Sequence, residues 1–477
     1  MFPIPVEWSS PAMETAAAIL YVVLALVVTT DVLLKKSDVR SALGWIGAVW
    51  LAPIFGSILY YLFGINRVTR RALKMSRLDN AQGPPTPNVE PDCSPNIALL
   101  SDVTERITRA PVTAGNAVTI LEGGDAAYPA MLAAIAGAEH GIAMASYIFR
   151  DDEAGRQFSD ALIAAAQRGV AVRVLLDGIG AGYFHSREFY RMRRAGVTVA
   201  NFLHTWAPWR MPFLNMRNHR KLLVVDGSTA FLGGINVGVE NSARLSGQHR
   251  IDDVHFKVEG PVVRVVMDAF ARDWTFTTEE VLDDDVWWPK LEAKGHVFAR
   301  GVRSGPDADL YKIELILGAA INLARKRIRI VTPYFLPDAR LQFALQEAVL
   351  RGIEVQIVLP RKSDQRIMDW AMRGQLRFFR HVKACFITTP APFDHSKLCT
   401  VDGEWSMVGS SNWDTRSFRL NFEFDLEITD RELTARLDRL IDDKIARGKQ
   451  ISPDALANEP IYLRLRNAAA RLLMPYL

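Results

Sequence analysis

Two stretches of this chain spell one pattern at one spacing, and that repetition constrains the fold more than any other feature. "NHRKLLVVDGSTAFLGGINVG" begins at Asn218 and "DHSKLCTVDGEWSMVGSSNWD" begins at Asp394. His219, Lys221, Asp226, Gly233 and Asn236 recur 176 residues later as His395, Lys397, Asp402, Gly409 and Asn412. Five positions repeated without a slip indicate a duplicated structural unit. The flanks repeat as well. "YPAMLAAIAGAE" has helical spacing, "GIAMASYIF" reads as a strand, "GRQFSDALIAAAQRG" as a helix and "VAVRVLLDG" as a buried strand. "IELILGAAINLARK", "RIRIVTPYFLP", "RLQFALQEAVLRG" and "IEVQIVLP" return in the same order, aligning Tyr147 with Tyr334 and Arg168-Gly169-Val170 with Arg351-Gly352-Ile353. The expectation is an α/β protein of two homologous halves, residues 98–280 and 306–477, joined by 281–305 with Trp287, Trp288 and Pro289.

The motif divides into two tasks. If "HRKLLVVDG" is a strand ending in a turn, His219, Lys221, Leu223 and Val225 share one face and Asp226 points away. Asp226-Gly227 then favours a tight hairpin turn. His395 and Lys397 share a face in the second copy, with Asp402 on the other side. Asp226 and Asp402 stand among the catalytic candidates as motif members, although their position suits backbone-bonding struts better. Neutral imidazole is a nucleophile, and imidazolium can protonate a leaving oxygen near neutral pH. Lysine offsets charge on a phosphoryl oxygen, and Asn236 and Asn412 offer amide donors to the same oxygens. Two His, two Lys and two Asn around one phosphodiester make a site that needs no metal or other cofactor. One His attacks phosphorus, the other protonates the departing alkoxide, and an alcohol or water releases the covalent intermediate. "RIDDVHFKVEG" and "LNFEFDLEITD" place Asp253 and Glu423 at comparable points after their histidines, suited to bonding the far ring nitrogen, with Asp252 as an alternative to Asp253. The other seven histidines, including His204, His249, His255 and His381, lack partners at useful spacing and read as ordinary polar residues. Lys sits where a second metal ligand would be expected, and Cys93, Cys385 and Cys399 are too scattered for a zinc cluster or a disulfide framework.

The first 77 residues have a different character. Ala16 to Leu34 is apolar apart from two threonines and Asp31, and Ala42 to Gly64 holds 23 residues without a charge. Each approaches the ~20 residues that cross a hydrocarbon core. Trp45, Trp50, Tyr60 and Tyr61 suit an interface, and Lys35, Lys36 and Arg40 occupy the short connection, so a transmembrane helical hairpin is expected over residues 1–77. Arg67, Arg70, Arg71, Lys74 and Arg77 outnumber the connection's three basic residues, which favours a cytoplasmic catalytic part. Residues 78–97, rich in Pro, Asn and Asp, read as a linker.

At the duplicated His-x-Lys-x4-Asp the chain resembles the phospholipase D superfamily, and within it the bacterial cardiolipin synthases. "RNHRKLLVVDG", "GGIN", "TPYFLPD", "HSKLCTVDG", "VGSSNWDTRS", "LNFE" and the hairpin's "GWIGAVWLAPIFGSILYYLFG" are similar to that family's blocks, in its order. The resemblance implies two pseudo-symmetric α/β/α sandwich lobes behind a bacterial inner-membrane anchor, with both motifs at the lobe interface. It implies His219 as nucleophile and His395 as acid, a choice that spacing leaves open, with Lys221, Lys397, Asn236 and Asn412 holding phosphate. The implied reaction condenses two phosphatidylglycerols into cardiolipin and glycerol through a phosphatidyl-histidine. One departure is "FFRHVKACFITTPAPF", Phe378 to Phe393, where the family has a more glycine-punctuated run.

The expected partners are therefore phospholipids, phosphatidylglycerol above all, and the membrane that carries them. "TWAPWRMPFLNM", Thr205 to Met216, is either an apolar lip at the interface or a packed loop, and the C-terminal "IYLRLRNAAARLLMPYL" either lies on the bilayer or packs on the second lobe. A phospholipase D hydrolase using water as acceptor is the alternative activity. A non-catalytic membrane scaffold would have had no reason to keep both motifs whole. Nucleic acid is not expected as a partner, because the net charge is only +4 and no basic aromatic tract is present.

Overall fold

Residues 11–36, 39–64, 91–182, 186–204, 216–247, 251–306 and 309–474 are described by a computed structural model of the protein, which separates into two units, Met1–Lys74 and Met75–Leu477. In the first unit, helix α1 (Pro11–Lys35) includes 22 residues, Glu14–Lys35, with an 18-residue stretch of mean hydropathy 2.4, long enough to cross a membrane. The second apolar run is a kinked helix, α2 (Val39–Leu51) followed by α3 (Pro53–Leu59), where the sequence suggested one continuous span. Pro53 has no N–H and its ring crowds the carbonyl four residues back, so the helix bends at Ala52. Asp31, the one acid in the first run, bonds Lys35 and accepts from the Tyr60 hydroxyl at 2.8 Å. Trp50 Nε1 donates to Thr29 Oγ1 at 3.1 Å, a second tie between the two runs.

The second unit is built on one sixteen-stranded sheet whose two ends mirror each other. In the first half Gly141–Ser146 and Ala171–Asp177 run parallel, and Leu222–Val225, Thr229–Gly233 and Val254–Glu259 follow antiparallel. Arg327–Val331, Glu354–Pro360, Leu398–Val401, Trp405–Gly409 and Asn421–Thr429 repeat that order in the second half. The repeated Arg-Gly corners acquire a reason. Gly169 and Gly352 take φ of 94° and 86° after their helices, and the arginines before them cap the carbonyls of preceding helices at Ile135 (3.1 Å) and Ile321 (2.7 Å). Asp152 and Asp338 cap the same two helices at their starts, each accepting at 3.0 Å from a backbone N–H three residues on.

The halves meet along Val297–Ser304, which pairs antiparallel with Thr113–Glu122 on one side and Asn421–Thr429 on the other. The connection read from sequence as 281–305 therefore ends about eight residues earlier, and its last residues are a sheet strand. One apolar core, under the helices Val263–Thr278 and Arg431–Arg447, draws residues from both halves, while a separate core covers each half's opposite face. Helix Pro95–Thr108, assigned by sequence to the linker's end and the first half, packs instead on the second half. Its Ile97 and Leu100 join Ile313, Ile316 and Leu317, and Asn96 Nδ2 donates to Asp402 Oδ2 at 3.0 Å. The C-terminal helix Ile461–Leu472 packs on Arg366–Leu376, with the Gly374 backbone close against the Asn467 carbonyl, which favours the second of its two sequence readings. Of Thr205 to Met216, only Met216 lies among the described residues, and it is buried.

Candidate active site

Neither motif histidine lies inside a strand, although alternation alone predicted one running from His219 to Val225. Arg217–Asn218 pairs in parallel with Asn421–Phe422 of the second half, whereas Leu222–Val225 pairs with its own half. Phe393–Asp394 likewise pairs with Ile251–Asp252 of the first half before Leu398–Val401 rejoins the second. His219 to Lys221 and His395 to Lys397 are the residues over which the chain changes partners. The His219 N–H donates to the Phe422 carbonyl at 2.9 Å, and the His395 N–H to the Asp252 carbonyl at 2.7 Å. These crossed pairings bring the two motifs to one place.

The side chains cross in the same sense. His219 Nδ1 lies 2.9 Å from Glu423 Oε2, and His395 Nδ1 lies 2.7 Å from Asp253 Oδ2. Asp253 and Glu423 were placed by spacing behind the histidines of their own halves, and each instead serves the histidine of the other. Asp252, the alternative, approaches Arg447 at 3.7 Å. A carboxylate on Nδ1 holds the ring proton there and leaves Nε2 for chemistry. Lys397 Nζ is also 2.8 Å from His395 Nδ1, but the ammonium is bonded to the His395 carbonyl and lies 3.8 Å from Asp253, so the carboxylate keeps the ring proton. Lys221 Nζ donates to the His219 carbonyl at 2.6 Å and sits 5.2 Å over the Tyr147 ring. Asn236 Oδ1 accepts from the Ile148 N–H at 3.2 Å, and the Asn412 N–H donates to Ser417 Oγ at 3.3 Å.

Other residues complete the site, and most carried no sequence signal of their own. Tyr147 sets its ring edge to His219 at 4.9 Å and Tyr334 does so to His395 at 6.5 Å, so the tyrosines that marked the repeat also border its chemistry. Arg220, pointing away from the site, bonds Asp273 at 2.6 Å and the carbonyls of Glu423, Ala269 and Ser304 at 3.0–3.2 Å, locking the crossing from behind. Ser410 Oγ and Asn421 Nδ2 donate to Glu423 at 2.6 and 3.1 Å. Gly234, the counterpart of Ser410, has no room for a side chain, since a Cβ there would stand 2.3 Å from Asp253 Oδ1. His255, read as an ordinary polar residue, is buried beneath Gly233, and neither ring nitrogen has a partner among the described residues.

Burial and charge make the two histidine pairs unlike. Burial, then Lys221, Lys397 and His395, hold His219 well below the ordinary imidazole value. His395 is lowered by burial and Lys397, against the opposing pull of Asp253. Burial pushes Glu423 up to about 7 despite Lys221 and its hydrogen bonds. Burial would raise Asp253 as well, but Lys397 and His395 outweigh it and keep that carboxyl below its usual range. Lys221 is brought down to about 7 by burial, with Glu423 resisting. The His395–Asp253 pair is thus the better holder of a proton, and His219 the better neutral nucleophile.

Asp226 and Asp402, candidates as motif members, are not brought to the histidines. Each stands in a left-handed turn residue, at φ 48° and 56°, with glycine following in a type I′ turn. Asp226 accepts from the N–H groups of Glu139, His140 and Gly141 at 2.7–3.1 Å. Asp402 accepts from Arg325, Lys326 and Arg327 at 2.7–3.0 Å. Each carboxylate thereby ties the motif hairpin to the start of the neighbouring strand. Asp402→Ala should therefore lower stability by about 2–4 kcal/mol, from several backbone donors left unpaired. Denaturant unfolding in detergent would read that loss, and the folded fraction should keep turnover within about threefold, a rate change of under 1 kcal/mol. Turnover lost in a protein of unchanged stability would overturn the strut assignment.

Comparison with known proteins places this geometry among relatives. A family profile described as "Cardiolipin synthase, PLD-like domain" matches residues 131–274 and again 317–445, and one described as "Phospholipase_D-nuclease N-terminal" matches residues 19–64. A cardiolipin synthase of Geobacillus kaustophilus is 31% identical over 93% of this chain and 90% of its own length. One from Alkalihalophilus pseudofirmus is 32% identical over 91% of this chain and 88% of its own. Among solved structures, the phosphatidylserine synthase of Haemophilus influenzae superposes with a TM-score of 0.61 at 15% identity, covering 80% of this chain and all of that one, which is a likeness of fold.

Proposed function

Because the chain belongs to the cardiolipin synthase family of phospholipase D-like proteins, we propose that it joins two phosphatidylglycerols into cardiolipin and glycerol by way of a phosphatidyl-histidine. Cardiolipin synthesis is the activity of the enzyme, which is membrane-associated; the donor, the intermediate and the residue roles are our reading. His219 Nε2 attacks phosphorus, the bond to the headgroup glycerol breaks, and the Nε2 proton of His395 passes to the departing oxygen. A hydroxyl of the second phosphatidylglycerol then gives its proton back to His395 and attacks phosphorus, and the P–N bond breaks. Lys221 and Lys397, with the amides of Asn236 and Asn412, bear the charge on the non-bridging oxygens. The observation that carries this reading is the crossed pair His219–Glu423 and His395–Asp253, in which each half orients the other's imidazole.

The reading extends to the membrane. We take the kinked second run as a further crossing and place the catalytic unit in the cytoplasm, supported by the five basic residues after that run against three before it. The test of function is a product assay. Purified protein given phosphatidylglycerol in mixed micelles should release glycerol and cardiolipin in equal amounts. Phosphatidic acid without cardiolipin would overturn the transferase reading in favour of a hydrolase.

A further inference from the structure

The C-terminal helix Ile461–Leu472 turns its polar and apolar residues the reverse of a helix bathed in water. At about 100° per residue, Asn467 and Ala470 share the face that packs on Arg366–Leu376, and both are buried. Ile461, Tyr462, Leu465 and Leu472 share the opposite face, where they are 63%, 67%, 63% and 73% exposed. The same spacing sets Arg466 on one border of that apolar face, and Arg464 and Arg471 on the other. Large apolar side chains turned outward between arginines are the pattern of a helix lying in a membrane interface, with the guanidiniums reaching up to the headgroups.

The surroundings of the helix are strongly basic. Residues 361–383 and 459–474 hold ten Lys and Arg against three Asp and Glu, in a chain whose net charge is only +4, so the remainder is net negative. The three acids are engaged within the fold. Asp364 accepts from the Tyr334 hydroxyl, Asp369 accepts from the Ser363 N–H at 2.9 Å, and Glu459 pairs with Arg373 and accepts from Asn467 Nδ2 at 3.1 Å. Arg366, Arg380, Lys383 and Arg464 are exposed. Arg377 and Arg471 both lie over the ring of Phe378, at 5.0 and 4.7 Å, and Arg377 opposes the charge of Arg471. An anionic surface relieves that crowding of like charge. Arg466 lies over Trp370 at 4.7 Å, as Arg471 lies over Phe378, so the two helices run the same way. Ile461 and Tyr462 therefore stand towards the end of the pair that follows Asp364, the partner of Tyr334, whose ring edge is set to His395.

We propose that the outward face of Ile461–Leu472, with the exposed basic side chains of residues 361–383 beside it, docks on an anionic phospholipid layer at headgroup depth. Charge selects this occupant. A second copy of the chain would set like charge on like, whereas phosphatidylglycerol and cardiolipin carry the opposite sign. The helix then meets both of its sequence readings, one on each face: Asn467 and Ala470 pack on the second half, and Leu465 and Leu472 lie among lipid. Docked in this way, the catalytic unit takes its lipid at the headgroup layer, with no need to draw two acyl chains into water.

Lipid contact is read without turnover, so its outcome stands apart from the cardiolipin reading. The full chain carrying Leu465→p-benzoylphenylalanine or Leu472→p-benzoylphenylalanine is reconstituted into vesicles of phosphatidylglycerol and phosphatidylcholine, illuminated, and its adducts identified by mass spectrometry. Both positions are exposed, so the photoprobe leaves the packing of the helix intact. The same probe at Val281, exposed on the connection between the halves, is the control. Leu465 and Leu472 should give phospholipid adducts at least about tenfold above Val281, the difference that burial of one leucine in an apolar layer warrants. In vesicles of phosphatidylcholine alone the yield at Leu465 should fall at least about fivefold, the worth of a single basic residue near an anionic surface. Arg464→Gln combined with Arg380→Gln should bring the yield in anionic vesicles towards that neutral value. Yields at Leu465 and Leu472 no higher than at Val281, or adducts to a second copy of the chain in place of lipid, would overturn the docking surface. Equal yields in anionic and neutral vesicles would overturn its choice of an anionic layer.

Discussion

His219→Ala and His395→Ala should each lower cardiolipin formation by at least roughly 1000-fold, because nucleophilic and acid–base roles each contribute on the order of 10²–10⁴ in rate. The two variants should then part company on a donor whose headgroup is p-nitrophenol. That phenolate leaves without needing a proton, so an enzyme lacking its general acid can still form the covalent intermediate. His395→Ala should release one p-nitrophenol per active site in a burst and then stall, since no base remains to activate the acceptor. Its phosphatidyl adduct should be recoverable on a peptide containing His219. His219→Ala should show no burst with either donor. The prediction follows from the unlike surroundings of the rings, His219 pressed towards neutrality by burial and the cations around it, and His395 backed by an ionised Asp253. An adduct on His395, with a burst in His219→Ala, would reverse the roles.

The chemistry of this site was legible because it is concentrated in residue types at fixed spacing. His219, Lys221, His395 and Lys397 stand out in the chain without any knowledge of its shape, and the strand and helix order around them follows from periodicity. Partner choice was not legible. Asp253 and Glu423 were recognisable as carboxylates in reach of a ring nitrogen, yet nothing local says that the strand pairings Arg217–Asn218 with Asn421–Phe422 and Phe393–Asp394 with Ile251–Asp252 exchange them between halves. Helix Pro95–Thr108 has an ordinary amphipathic pattern, which says that it buries Ile97 and Leu100 but not against which half. The joining strand Val297–Ser304 was hidden by its own composition. "VFARGVRS" carries two arginines and a glycine, and it becomes a sheet strand because Arg300 finds Glu427 at 3.1 Å and the Ser101 carbonyl at 3.0 Å, while Gly301 leaves room for Val265 and Phe424. Such buried polar contacts are tertiary facts, and a pattern of apolar residues cannot announce them.

The crossed carboxylates should be separable by pH. Glu423 is fully buried and pushed up to about 7, so it gains a proton as the solution becomes mildly acid. Once neutral it no longer offers His219 a charged acceptor for Nδ1–H, and the imidazole loses the orientation and polarisation that favour attack through Nε2. The sign is therefore a fall in kcat/KM as pH drops through about 7, the range in which the free enzyme titrates this group. Asp253 is held below the usual carboxylate range and stays ionised throughout that window. Glu423→Gln should lower kcat/KM at pH 8 by about 10²-fold and abolish the acid limb near neutrality, since the amide cannot titrate. Asp253→Asn should lower the rate most towards alkaline pH, because His395 loses the partner that holds its proton, and should keep the acid limb where it was. A third feature separates Glu423 from Lys221, which burial has lowered to about 7 and whose deprotonation removes activity on the alkaline side. Binding a phosphodiester favours the charged ammonium, so that basic limb should move upward in kcat relative to kcat/KM, whereas the acid limb should not move down with it. An acid limb that survives unchanged in Glu423→Gln and disappears in Asp253→Asn would mean that the attacking histidine is backed by the first half's carboxylate, and the asymmetry between the two crossed pairs would have to be read the other way round.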